Sequence, residues 1–110
     1  MSDLTFTLIQ PSLLWEDIEA NRQMLEQKIN DIQQPTQIIV LPEMFTTGFS
    51  MKPEQLSETM QGPTVQWMKS MASKKRSILT GSLIIEDEGK YLFNYIQIIL
   101  LLKYTMVEEK

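Results

Sequence analysis

The sequence predicts an α/β fold, and three observations carry that prediction. Short strand-like stretches alternate with longer amphipathic ones. A continuous apolar run, "QIIVL" (residues 37–41), stops at a Pro-Glu pair. Two further apolar stretches are joined by a tight turn at residues 87–89, Asp-Glu-Gly.

The elements follow in chain order. Residues 4–10 read as a strand, with Leu4, Phe6 and Leu8 on one face and Thr5, Thr7 and Ile9 on the other; Pro11 and Ser12 end it. Residues 15–32 read as a helix. Ile18, Leu25, Ile29 and Ile32 share one face, and Glu16 and Asp17 fall in the first turn, where the helix dipole favours anions. The run at 37–41 has the pattern of a strand buried on both faces of a parallel sheet. Strand, helix and strand with short links make a βαβ unit with two parallel neighbours. Residues 50–61 read as a polar connection. A second helix follows over 62–76, with Pro63 at its first position, Val65, Met68 and Ala72 on one face, and Lys74, Lys75 and Arg76 at its end. Residues 77–86 form a third strand, and residues 90–105 a fourth, paired with it as a hairpin. Four strands and two helices are therefore expected. The Ile/Leu-rich stretch from Ile96 to Leu102 carries one polar residue, Gln97, and no turn signal, which marks it as an aggregation hazard.

Composition narrows the chemistry. The 110 residues suit one domain or part of one, and 43% hydrophobic with 22% charged residues is a globular balance. A net charge of −4 without a basic patch argues against nucleic acid as a partner. There are no cysteines and no histidines. Structural disulfides are excluded, a zinc site is disfavoured, and this chain supplies neither a thiol nucleophile nor an imidazole base. The N-terminus lacks the basic and apolar regions of a signal peptide, and no apolar segment is long enough to span a bilayer, so a cytoplasmic location and no membrane partner are expected. The glycines, Gly48, Gly62, Gly81 and Gly89, are scattered and form no phosphate-binding loop. The methionines form no stripe and read as adaptable packing.

Glu43 is the candidate for chemistry. Pro42 holds Leu41 extended and stops the ladder, so the carboxylate stands at the carboxyl end of a parallel strand. That edge is where open α/β sheets bind ligands. Phe45 and Phe49 either line a small pocket beside Glu43 or anchor the loop by burial. Thr46 and Thr47 suit turn hydrogen bonds.

The stretch "VLPEMFTTGF" (residues 40–49) resembles the first catalytic motif of the nitrilase superfamily of carbon–nitrogen hydrolases, and within it the ω-amidase branch. Gln10-Pro11, Asn21, Trp67-Met68, "TGSL" (residues 80–83) and "GKY…FN" (residues 89–94) agree with that branch, and the resemblance covers roughly residues 4–94. It implies the N-terminal part of an α-β-β-α sandwich, in which a second sheet covers the first. It also implies hydrolysis of the terminal amide of small α-keto acid amides, with release of ammonia and no cofactor or metal. In that chemistry a cysteine thiol attacks the amide carbon, a glutamate acts as general base, and a lysine stabilises the oxyanion. Glu43 matches the glutamate. The lysine motif and the cysteine have no match here, and the neighbours of Lys103 do not fit that motif. The resemblance thus divides the chain into a family segment, 1–94, and a divergent tail, 95–110, read as out of register with the ancestral gene. It implies a chain inactive by itself, while an intact member forms a homo-oligomer. With its sheet partner missing, the isolated chain is expected to expose apolar surface and aggregate. The alternative is a non-catalytic module that docks on an intact homologue.

Overall fold

The computed structural model describes residues 4–50 and 52–98, with the backbone alone for 91–98. Its elements in chain order are β1 (Phe6–Leu8), α1 (Ile18–Asn30), β2 (Ile38–Val40), α2 (Pro53–Leu56), α3 (Pro63–Lys75), β3 (Ile78–Asp87) and β4 (Lys90–Ile98). The strands form one sheet in the order β1-β2-β3-β4. β1, β2 and β3 run parallel, and β4 returns antiparallel to β3. The α/β class, the parallel βαβ unit and the terminal hairpin are as the sequence predicts. The expected continuation of the fourth strand to Thr105, and the tail beyond residue 98, lie outside the described residues.

Local chemistry explains the element ends. The first helix starts at Ile18, not at Trp15. Glu16 adopts a left-handed φ of 58° and gives its N–H to Thr47 O at 2.8 Å, so it cannot sit in a helical turn. Asp17 is the N-cap, and its carboxylate accepts from Ala20 N. Pro63 opens α3, and Lys74 and Lys75 stand in its last turn, where cations suit the dipole. Arg76 then ends the helix in the left-handed region. In the hairpin, Asp87 pairs with Lys90, and both intervening residues, Glu88 and Gly89, have positive φ. That is the signature of a two-residue turn whose twist matches the strands.

One helix more than expected is present. The connection read as polar contains α2, a single turn begun by Pro53. Past it, Glu58 bridges to Ile85 on β3, and its carboxylate accepts from Thr64 N at 2.8 Å. Glu58 thereby caps α3, whose own N-cap, Gly62, has no side chain to do so.

The core lies on one face of the sheet. Leu25 and Ile29 of α1 and Val65, Met68, Met71 and Ala72 of α3 cover Ile39 of β2 and Leu79, Leu83 and Ile85 of β3. On the opposite face Leu4, just before β1, and Phe6 and Leu8 of β1 are 66%, 57% and 63% exposed. Ile38 and Val40 of β2 are only half-buried, so β2 is not enclosed on both faces as its apolar run suggests. The run reflects a strand apolar on both sides, with helices over one of them. Among the described residues no helix is long and apolar enough to cross a membrane.

The two faces should respond differently to truncation. Leu25→Ala is expected to cost about 2–5 kcal/mol in urea unfolding, as a large-to-small change in a packed core. Leu8→Ala is expected to cost less than about 0.5 kcal/mol.

Candidate active site

The geometry around Glu43 follows from how the chain leaves β2. In a parallel ladder, successive hydrogen bonds from one strand step by two residues. Leu41 obeys this and donates its N–H to Thr80 O at 2.9 Å. The next donor to β3 should be residue 43, reaching Ser82 O. Phe45 makes that bond instead, at 3.2 Å. Two extra residues therefore bulge out between Leu41 and Phe45, and Glu43 lies at the centre of the Pro42-Glu43-Met44 excursion. Bulges of this kind re-aim a side chain at the edge of a sheet. Glu43 is solvent-exposed there, at the carboxyl end of β2. Its place at the carboxyl end of the strand is the one the sequence predicts.

The bulge is held from several sides. Met44 takes a left-handed φ of 48°, and its N–H donates to Ser82 Oγ at 2.9 Å. The Ser82 hydroxyl in turn lies 3.6 Å from Met44 Sδ. Met44 O accepts from Gly48 N at 2.8 Å, closing a turn in which Gly48 itself has φ 75°. That turn suits glycine doubly, because a Cβ at position 48 would lie 3.1 Å from the Trp15 ring.

Helix α1 supplies the next support. Asn21 is fully buried, and its amide donates to Thr46 O at 2.8 Å and to Leu14 O at 2.7 Å. Its Oδ1 accepts from Leu14 N at 2.7 Å. One side chain thus ties the loop after β2 to the loop before α1. Glu16 adds a second tie: its carboxylate accepts from Ser50 Oγ at 2.6 Å and pairs with Lys52 at 3.7 Å. Asn21 and the "TGSL" stretch stand out in the sequence, but these contacts are not legible there. Asn21 is four residues from Leu25 on α1, and the structure shows it fully buried.

The two aromatic candidates part company. Phe45 is fully buried, with its ring centroid 6.0 Å from that of Trp67. It lies over Gly81, where a Cβ would come within 2.8 Å of the ring. Phe49 is 66% exposed. Thr46 and Thr47 are buried in the turn, and Thr47 Oγ1 donates to Gly48 O.

The chain is similar to known proteins in sequence and in fold. The carbon–nitrogen hydrolase family profile matches residues 5–109, a span that runs into the segment set apart as 95–110. The chain is 35% identical over 89 residues to Omega-amidase YafV of Escherichia coli K12, covering 81% of this chain and 34% of that protein. It is 37% identical over 87 residues to Omega-amidase YafV of Yersinia enterocolitica, covering 77% and 32%. It therefore spans about a third of the length of these curated relatives. Among solved structures, XC1258 from Xanthomonas campestris superposes with a TM-score of 0.85 at 30% identity, covering 90% of this chain and 37% of that one. That protein is described as a CN-hydrolase superfamily member with an arsenic adduct in its active site.

Truncating the two phenylalanines separates burial from exposure. Phe45→Ala is expected to cost about 3–5 kcal/mol in chemical unfolding. Phe49→Ala is expected to stay within about 0.5 kcal/mol.

Proposed function

The chain belongs to the carbon–nitrogen hydrolase family, and from that premise we propose that Glu43 is the general base of an amidase acting on the terminal amide of small α-keto acids. The observation that carries the proposal is the two-residue bulge, which puts Glu43 outward at the carboxyl end of a parallel strand. The ω-amidase names of the relatives support the substrate class.

The chemistry needs a thiol, which is weakly ionised at neutral pH and attacks well only with a base beside it. Glu43 takes the thiol proton as sulfur bonds to the amide carbon. The same proton goes to the nitrogen as the carbon–nitrogen bond breaks and ammonia leaves. Glu43 then takes a proton from water, which attacks the thioester and frees the acid and the thiol. The oxyanion formed at each attack needs a cationic donor, the lysine of the family motif. These 110 residues contain no cysteine, so the thiol comes from sequence other than this. No metal or cofactor takes part in these steps.

A chimaera tests the proposal. Residues 4–94 of this chain would be joined to the remainder of the Escherichia coli relative. Ammonia release is then measured on the α-keto acid amide that glutamine transamination leaves. The chimaera is expected to hydrolyse it, and Glu43→Gln is expected to lower kcat by roughly 10²–10⁴-fold with the fold intact. Activity within a few-fold of the parent chimaera in the Glu43→Gln variant would contradict the assignment.

A further inference from the structure

A bulge that carries a base must also be kept from moving. Pro42 has no N–H to offer, and Met44 adopts a left-handed conformation that side-chain-bearing residues avoid. The turn that follows engages the Met44 carbonyl, which accepts from Thr47 N and Gly48 N, and the Met44 N–H is engaged by the neighbouring strand, through one residue. Ser82 is almost completely buried on β3. Its carbonyl accepts from Phe45 N at 3.2 Å, and its hydroxyl accepts from Met44 N at 2.9 Å. The hydroxyl proton is directed to Met44 Sδ at 3.6 Å, so both the main chain and the side chain of Met44 are engaged by the same oxygen. Ser82 is therefore bonded to the residue directly after Glu43 and to the next one.

The residue beside Ser82 makes this geometry possible. Gly81 lets the Phe45 ring lie against the strand, where a Cβ would approach Phe45 Cδ2 to 2.8 Å and Leu41 Cβ to 3.2 Å. Gly81 thus receives the residue that closes the bulge, while Ser82 holds the residue inside it. An alanine at position 82 would keep the strand and the Phe45 bond but leave the Met44 N–H without its acceptor. In a buried setting that loss favours a different φ at Met44.

We propose that Ser82 is a positioning residue for Glu43: its hydroxyl locks Met44 in the left-handed conformation and so sets the direction in which the Glu43 side chain leaves the sheet. The proposal rests on the reading of Glu43 as the base, but its readout needs no turnover, so the two can fail separately. It acts through the backbone of residues 43–45.

The test is nuclear magnetic resonance on the full 110-residue chain and on Ser82→Ala and Ser82→Thr. Two quantities are measured: amide hydrogen exchange along the chain, and the Hα–Hβ couplings of Glu43. In the unaltered chain the couplings should be unequal, as for one dominant rotamer. In Ser82→Ala the exchange at Met44 is expected to rise roughly fivefold or more beyond any rise at the α1 and α3 amides. The Glu43 couplings should converge to averaged values, and Ser82→Thr, which keeps the hydroxyl, should restore both. Unchanged Glu43 couplings in Ser82→Ala would overturn the proposal. A uniform rise in exchange across all elements that threonine does not restore would also overturn it, because Ser82 would then act only on the stability of the fold.

Discussion

A parallel strand gives its neighbour one hydrogen bond every second residue, and the end of β2 departs from that step. Leu41 reaches Thr80 on schedule, and the following bond to Ser82 comes from Phe45. The chain between them has to leave the sheet and return. Its path is constrained at both ends by β3 and in the middle by Met44, which has a left-handed φ and whose N–H donates to Ser82 Oγ. The remaining supports answer to this excursion. Asn21 receives the far side of the turn, Glu16 fastens the segment beyond it, and Gly81 leaves room for Phe45 underneath. An exposed carboxylate, Glu43, at the carboxyl end of β2 is the outcome.

The support is asymmetric, and the sheet shows why. Helices α1 and α3 cover one face and bring Leu25, Ile29, Val65 and Met68 onto β2 and β3. The Phe45 side of the bulge belongs to this core, whereas Phe49 stays exposed. The far face of β1 is open, with Leu4, Phe6 and Leu8 in solvent. The chain covers little more than a third of its structural neighbour, XC1258. Through Phe45 the edge that carries Glu43 is anchored in this core.

Much of the fold was legible because it depends on local pattern. The alternation at Leu4, Phe6 and Leu8, the helical spacing of Leu25 and Ile29, Pro63 at a helix start and the Asp-Glu-Gly turn each act within a few residues. The Pro-Glu pair at a strand end pointed to Glu43 for the same reason. The rest depends on contacts distant in sequence. Phe45 and Phe49 are alike in type and close in sequence, yet Gly81 and Trp67 decide that one is buried. Glu16 reads as a first-turn acid until its N–H is seen bonded to Thr47 O across the loop. Helix α2 is one turn long, too short for a periodic signal, and its role becomes visible only through the bridge from Glu58 to β3. The two-residue bulge has no sequence signature beyond Pro42, because it is defined by the bonds β3 accepts.

The central claim is that the loop carrying Glu43 is part of the core and not a surface connection. Native-state hydrogen exchange of the unaltered chain tests this most directly, by comparing Leu41, Met44, Phe45 and Gly48 with Leu25 and Ile29 of α1. The account predicts that the loop amides exchange only when the helix amides do, through the same global opening. Exchange of Met44 and Phe45 near the rate of an open chain, while α1 stays protected, would contradict it.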